Sequence, residues 1–155
     1  PVGVNGTTVW DNGEIRHNPT PAMIDLDQLP YPAWHLLDGY SYVPDPLNLA
    51  PLQSKAQPLA IQASRGCPFA CTFCSQDTMY KRVRIRSPES VVNEMEYVHK
   101  RYGTTVCGFI DAIFPLSPKQ GHAFADEMIR RGMHKKVVWF TETRVALLNY
   151  DLLSI

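Results

Sequence analysis

A Ser-Pro pair stands twice in the second half of the chain, at Ser87-Pro88 and Ser117-Pro118, and each is followed by a glycine, Gly103 and Gly132. Serine before proline is a helix start: the side chain accepts from a free N–H of the first turn, and proline suits the first helical position. Glycine, which tolerates a left-handed backbone, is a helix stop. Between these signals Val91, Met95, Val98 and Tyr102 recur on one helical face, and then Phe124, Ala125 and Met128 do so. Short apolar runs stand around the two helices. Leu59, Ile61 and Ala63 alternate with Ala60, Gln62 and Ser64, and runs at 105–111 and 137–142 read as further strands. Asn149-Tyr150-Asp151-Leu152-Leu153 starts another helix. The second and third strands begin about thirty residues apart, the usual length of a βαβ unit. Alternating strands and helices predict right-handed crossovers and an α/β fold with a parallel sheet, about three βα units in all.

The first unit is longer than the others because a loop is inserted after its strand. That loop carries Cys67, Cys71 and Cys74 in a Cys-x-x-x-Cys-x-x-Cys spacing. Three thiolates can hold three irons of a [4Fe–4S] cluster, which usually takes four cysteines, and leave the fourth iron open. An open coordination site is where metal chemistry happens. The cysteines are expected at the C-terminal end of the first strand, where α/β barrels build active sites. Asp111 and Glu142 end the second and third strands at the same rim. The rival reading is a structural zinc site, which needs a fourth ligand; His99, His122 and Cys107 are the candidates. Cys107 lies within a predicted strand, so a packed thiol is its default.

Residues 1–56 read differently. Proline is dense here, and little is periodic. Thr8-Val9-Trp10 and Glu14-Ile15-Arg16 flank Asp11-Asn12-Gly13 as a small β-hairpin. A connector follows, with Trp34, Leu36 and Leu37 as expected anchors. We therefore divide the chain into 1–56, the tail of a preceding domain plus a linker, and 57–155, the first part of an α/β core. The chain begins at Pro1 without an initiator Met and ends at Ser154-Ile155 inside an apolar pattern, so a piece of a longer protein is expected.

Charge narrows the partners. Lys plus Arg is 15 and Asp plus Glu is 15, so the formal net charge is zero. This gives no electrostatic reason to expect nucleic acid or an anionic membrane. No stretch reaches the apolar length of a bilayer span. Four cysteines used for metal rather than disulfides fit a cytoplasmic location. Lys81, Arg82, Arg84 and Arg86 alternate with Val83 and Ile85 and read as a solvated strand edge.

The run Arg65-Gly66-Cys67-Pro68-Phe69-Ala70-Cys71-Thr72-Phe73-Cys74 resembles the cluster motif of radical S-adenosylmethionine (SAM) enzymes, including the aromatic Phe73 before the last cysteine. Asp25-Leu26-Asp27-Gln28-Leu29-Pro30, Arg86-Ser87-Pro88-Glu89 and Trp139-Phe140-Thr141-Glu142-Thr143-Arg144 are similar to the subgroup that carries an N-terminal cobalamin-binding domain. The resemblance implies a partial (β/α) barrel of radical SAM type. It implies a cluster held by Cys67, Cys71 and Cys74, and reductive cleavage of SAM to a 5′-deoxyadenosyl radical that takes a hydrogen atom from substrate. Phe73 against the adenine, and Asp111, Glu142 and Arg144 on the polar groups of SAM, are the implied cofactor contacts. The implied partners are a small-molecule substrate and a one-electron reductant of flavodoxin or ferredoxin type. Cobalamin would be bound by a domain outside this chain, with methyl transfer or rearrangement as the typical outcome. A methylthiotransferase-type radical SAM enzyme and a non-catalytic zinc module remain the alternatives.

Overall fold

The computed structural model describes residues 3–37, 59–76 and 82–155. Its centre is a three-stranded parallel sheet ordered β3 (Leu59–Ile61), β6 (Val106–Phe109), β7 (Val138–Phe140). Leu59 pairs with Cys107, and Val106 with Val138. All four residues of β6 are buried, as a central strand covered on both faces requires. The expected α/β arrangement with a parallel sheet is present, and among the described residues the sheet is not closed into a barrel.

Helix α1 (Pro88–Tyr102) and helix α2 (Pro118–Arg130) start where the Ser-Pro pairs stand. Ser87 Oγ accepts from the Ser90 N–H at 3.1 Å, and Ser117 Oγ from the Gln120 N–H at 3.2 Å. Gly103 ends α1 in the left-handed conformation. The two helices pack on each other and cover the sheet with Val91, Met95, Val98, Phe124 and Met128. Phe109, Phe114, Phe124 and Trp139 add an aromatic cluster in which Phe109 and Phe114 stack at 4.3 Å and the other pairs meet edge to face. A short α3 (Tyr150–Leu153) begins where expected, with Asn149 Oδ1 accepting from the Leu152 N–H at 2.8 Å.

Several details depart from the sequence reading, each for a local reason. The hairpin of β1 (Thr8–Asp11) and β2 (Glu14–His17) turns in two residues, because Asn12 (φ 50°) and Gly13 (φ 86°) both take positive φ. That is the turn whose twist matches paired strands, so Asp11 joins the ladder opposite Glu14. The first core strand stops at Ile61 rather than running to Ser64. The chain then re-pairs as β4 (Ser64–Arg65) against β5 (Arg84–Ile85), an antiparallel two-residue ladder that closes the base of the cysteine loop.

The basic segment is not a solvated edge throughout. Arg86 is 10% exposed and pairs with Glu94, which is 2% exposed. Lys81 lies outside the described residues. In the connector the firmest anchor is Leu26, buried at the head of a 3₁₀ turn spanning Leu26–Gln28. Trp34 packs against the core as expected, and Tyr31 meets Tyr97 at 5.5 Å. Leu36 does not anchor: it is 70% exposed, since two residues along a 3₁₀ turn point away from each other. The Leu37 side chain lies outside the described residues.

Candidate functional site: a cysteine loop at the C-terminal rim of the sheet

The cysteine loop leaves β4 through Gly66, whose φ of 97° suits a residue without a Cβ. All four cysteines are free thiols. Cys67 and Cys71 are half-buried and Cys74 is exposed, with the Cys74 N–H donating to the Cys71 carbonyl at 3.0 Å. Phe73, the expected adenine contact, is 91% exposed. Among the described residues no three His, Cys, Asp or Glu side chains are gathered into a metal-holding group. The donor set itself is all thiol. It fits an iron–sulfur cluster or zinc and does not fit a hard cation. Metal sites of this kind are commonly completed on binding.

Two of the other rim residues meet the loop. Arg144 is exposed, and its guanidinium carbon lies 4.0 Å from the centroid of the Phe69 ring, a cation–π contact that joins the segment after β7 to the cysteine loop. Asp111 meets the loop at its stem. Its Oδ2 accepts from the Ala63 N–H at 2.9 Å and its Oδ1 from Ser64 Oγ at 2.5 Å. Burial pushes this carboxyl above its ordinary value, and the hydrogen bonds from Ser64 and Ala63 pull the other way. With both oxygens bonded inside the fold and the residue 7% exposed, Asp111 faces the loop stem and not the open rim where the sequence expectation put it. Glu142 does stand at the rim. Its side chain is exposed, and its carbonyl accepts from the Phe114 N–H at 3.0 Å, which ties the segments after β6 and β7 together.

The candidate fourth ligands for zinc are placed elsewhere. Cys107 is 0% exposed on the central strand, and burial, with a smaller push from Glu94, raises its thiol to about 12. His99 Nδ1 is bonded to the Thr104 carbonyl at 2.8 Å. His122 is half-buried on α2, on an element that supplies none of the loop's contacts described above. Sequence reasoning missed the Arg86–Glu94 pair and the role of Ser64. A signal for the first was present: Glu94 sits on the same helical stripe as Val91 and Val98, where a carboxylate needs a partner.

A parallel α/β sheet carries a three-thiol loop at the C-terminal end of its first strand. The comparisons give the family. The radical SAM superfamily profile matches residues 61–151, which hold the end of β3, β6, β7, both long helices and the loop. The chain belongs to the radical SAM superfamily of enzymes. It is 32% identical over 150 residues to an anaerobic magnesium-protoporphyrin IX monomethyl ester cyclase of Cereibacter sphaeroides, covering 96% of this chain and 23% of that protein. It is 30% identical over 149 residues to an uncharacterized methyltransferase of Pyrococcus horikoshii, covering 95% and 30%. It is 28% identical over 97 residues to the hopanoid C-3 methylase of Methylococcus capsulatus, covering 62% and 18%. The chain thus spans less than a third of the length of these relatives. No solved structure matches it. No helix among the described residues is long and apolar enough to cross a membrane.

Proposed function

We propose that this chain carries the cofactor-cleaving rim of a radical SAM enzyme that acts on a small-molecule substrate, by methyl transfer or ring-forming rearrangement. The observation that carries the reading is the set of three free thiols on one loop, emerging at the C-terminal end of the first strand of a βα series. Cys67, Cys71 and Cys74 act as thiolate ligands, losing three protons on binding. A [4Fe–4S] cluster held by these thiolates would supply the electron for reductive cleavage of SAM. The exposed Glu142 offers a carboxylate to the SAM ammonium. Arg144 offers a planar fork to its carboxylate. Phe73 offers an apolar face to the adenine. Gly66 keeps the backbone free of a side chain where cluster and loop meet.

Relatives named for cyclisation and methylation support the substrate class and outcome. The zero net charge gives no support to a nucleic-acid substrate. The connector, with its likeness to the cobalamin-linked subgroup, supports a preceding cobalamin-binding domain. A flavodoxin- or ferredoxin-type protein would deliver the electron. The test uses the full-length protein purified without oxygen. Iron and acid-labile sulfide are expected, and dithionite with SAM should release 5′-deoxyadenosine or S-adenosylhomocysteine. Cys71→Ala should abolish both the iron and the products. One zinc per chain without iron or sulfide would overturn the reading.

A further inference from the structure

The stem of the cysteine loop is gripped from two sides by buried charge. From the end of β6, Asp111 accepts from the Ala63 N–H and from Ser64 Oγ, three residues before Cys67. From just beyond β5, the Arg86 N–H donates to the Ala63 carbonyl at 2.8 Å, and its guanidinium donates to the Gln62 carbonyl at 2.8 Å while paired with Glu94. Gln62 in turn accepts from Arg65 Nε at 2.9 Å. A buried carboxylate costs several kcal/mol unless it is well bonded, and an apolar residue would close this part of a core at less cost. The charge is therefore not explained by packing. What its hydrogen bonds fix is the direction in which the chain leaves the sheet toward Cys67.

We propose that Asp111 is a positioning residue for the cysteine loop, acting through its hydrogen bonds to Ala63 and Ser64 and not as a contact to SAM. The proposal rests on the reading of the loop as a cluster ligand. It separates cleanly from a charge-based role because a serine hydroxyl either donates or accepts. In Asp111→Asn, the amide oxygen accepts from the Ala63 N–H and the amide nitrogen donates to Ser64 Oγ. The grip survives and the charge is gone. In Asp111→Ala or Ser64→Ala the grip is lost.

The experiment uses the full-length, cluster-loaded protein and reads iron per chain, the rate of iron loss to a chelator, the electron paramagnetic resonance spectrum of the reduced state with and without SAM, and thermal melting. Asp111→Ala and Ser64→Ala should lose iron roughly 10-fold faster or more, the usual effect of removing an outer-shell partner of a metal site. They should do so at temperatures where the helical signal is intact. Asp111→Asn should hold its iron and keep the spectral change on adding SAM. Ser64→Ala carries the test if Asp111→Ala does not fold. Lower melting with iron loss at the unaltered rate would reduce Asp111 to a purely structural role and overturn the proposal. So would an Asp111→Asn protein that keeps its iron and loses the response to SAM, which would make the residue a SAM contact. Absence of iron and sulfide from the unaltered protein would instead remove the cluster reading itself.

Discussion

The root and the tip of the cysteine loop are built on opposite rules. At the root, Ala63 and Ser64 are buried, Arg86 is nearly so, and each is bonded to a neighbour of fixed position. At the tip, Cys74 and Phe73 are exposed, and the Cys74 N–H donates to the Cys71 carbonyl. The difference teaches that direction and exposure are set separately within one loop. Direction is set by the core, below the thiols. Beyond that stem, Phe73 and Cys74 are left open to solvent.

The largest effect is expected from cutting the root. Glu94→Ala leaves the Arg86 guanidinium buried without its partner, and breaking such a pair from one side costs about 3–5 kcal/mol. Urea unfolding should move its midpoint accordingly, and a shift within the scatter of surface substitutions would mean the root is not rigid. A smaller effect is expected from pH. The Asp111 carboxyl is raised by burial, so the folded chain holds its proton where the unfolded chain has already released it. Between the ordinary carboxyl value and the raised folded one, its contribution to stability therefore falls as pH rises, and it is level above that window. Thermal melting of the unaltered chain against Asp111→Asn across acid pH should show the gap changing in that direction; a gap that moves the other way would mean the hydrogen bonds outweigh burial. The smallest effect is expected at the tip. In the iron-free protein, Phe73→Ala and Cys74→Ala should each leave stability within about 0.5 kcal/mol, the range of exposed substitutions. A larger loss would show that the tip is already structured without its metal.

The parts legible in the sequence are those written by local rules. Ser87-Pro88, Ser117-Pro118, Gly103 and the apolar stripes of α1 and α2 act over a few residues, and the structure follows them. The parallel pairing of the sheet follows from the alternation of strands and helices. The illegible parts are those decided by partners far apart in sequence. Nothing local says that Ser64 leaves β3 to pair with Ile85, or that Arg86 turns inward to a carboxylate on α1. The same holds for the rim. The cysteines declare themselves by spacing, whereas Asp111 reads from sequence only as an acid at a strand end. Its work is defined by Ala63 and Ser64, 48 and 47 residues earlier. Arg144 likewise reads from the sequence only as an implied SAM contact, and nothing local shows that it lies over Phe69.

The Ser87 N–H at the start of α1 is bonded to the carboxylate of Asp27, 60 residues earlier, at 3.0 and 3.1 Å. During synthesis the connector therefore leaves the ribosome well before the helix it caps exists. At roughly 5–20 residues per second, Asp27 and the apolar Leu26 beside it wait about 3–12 seconds for a docking place. Throughout that interval the start of α1, on which Asp27 docks, has not yet been made.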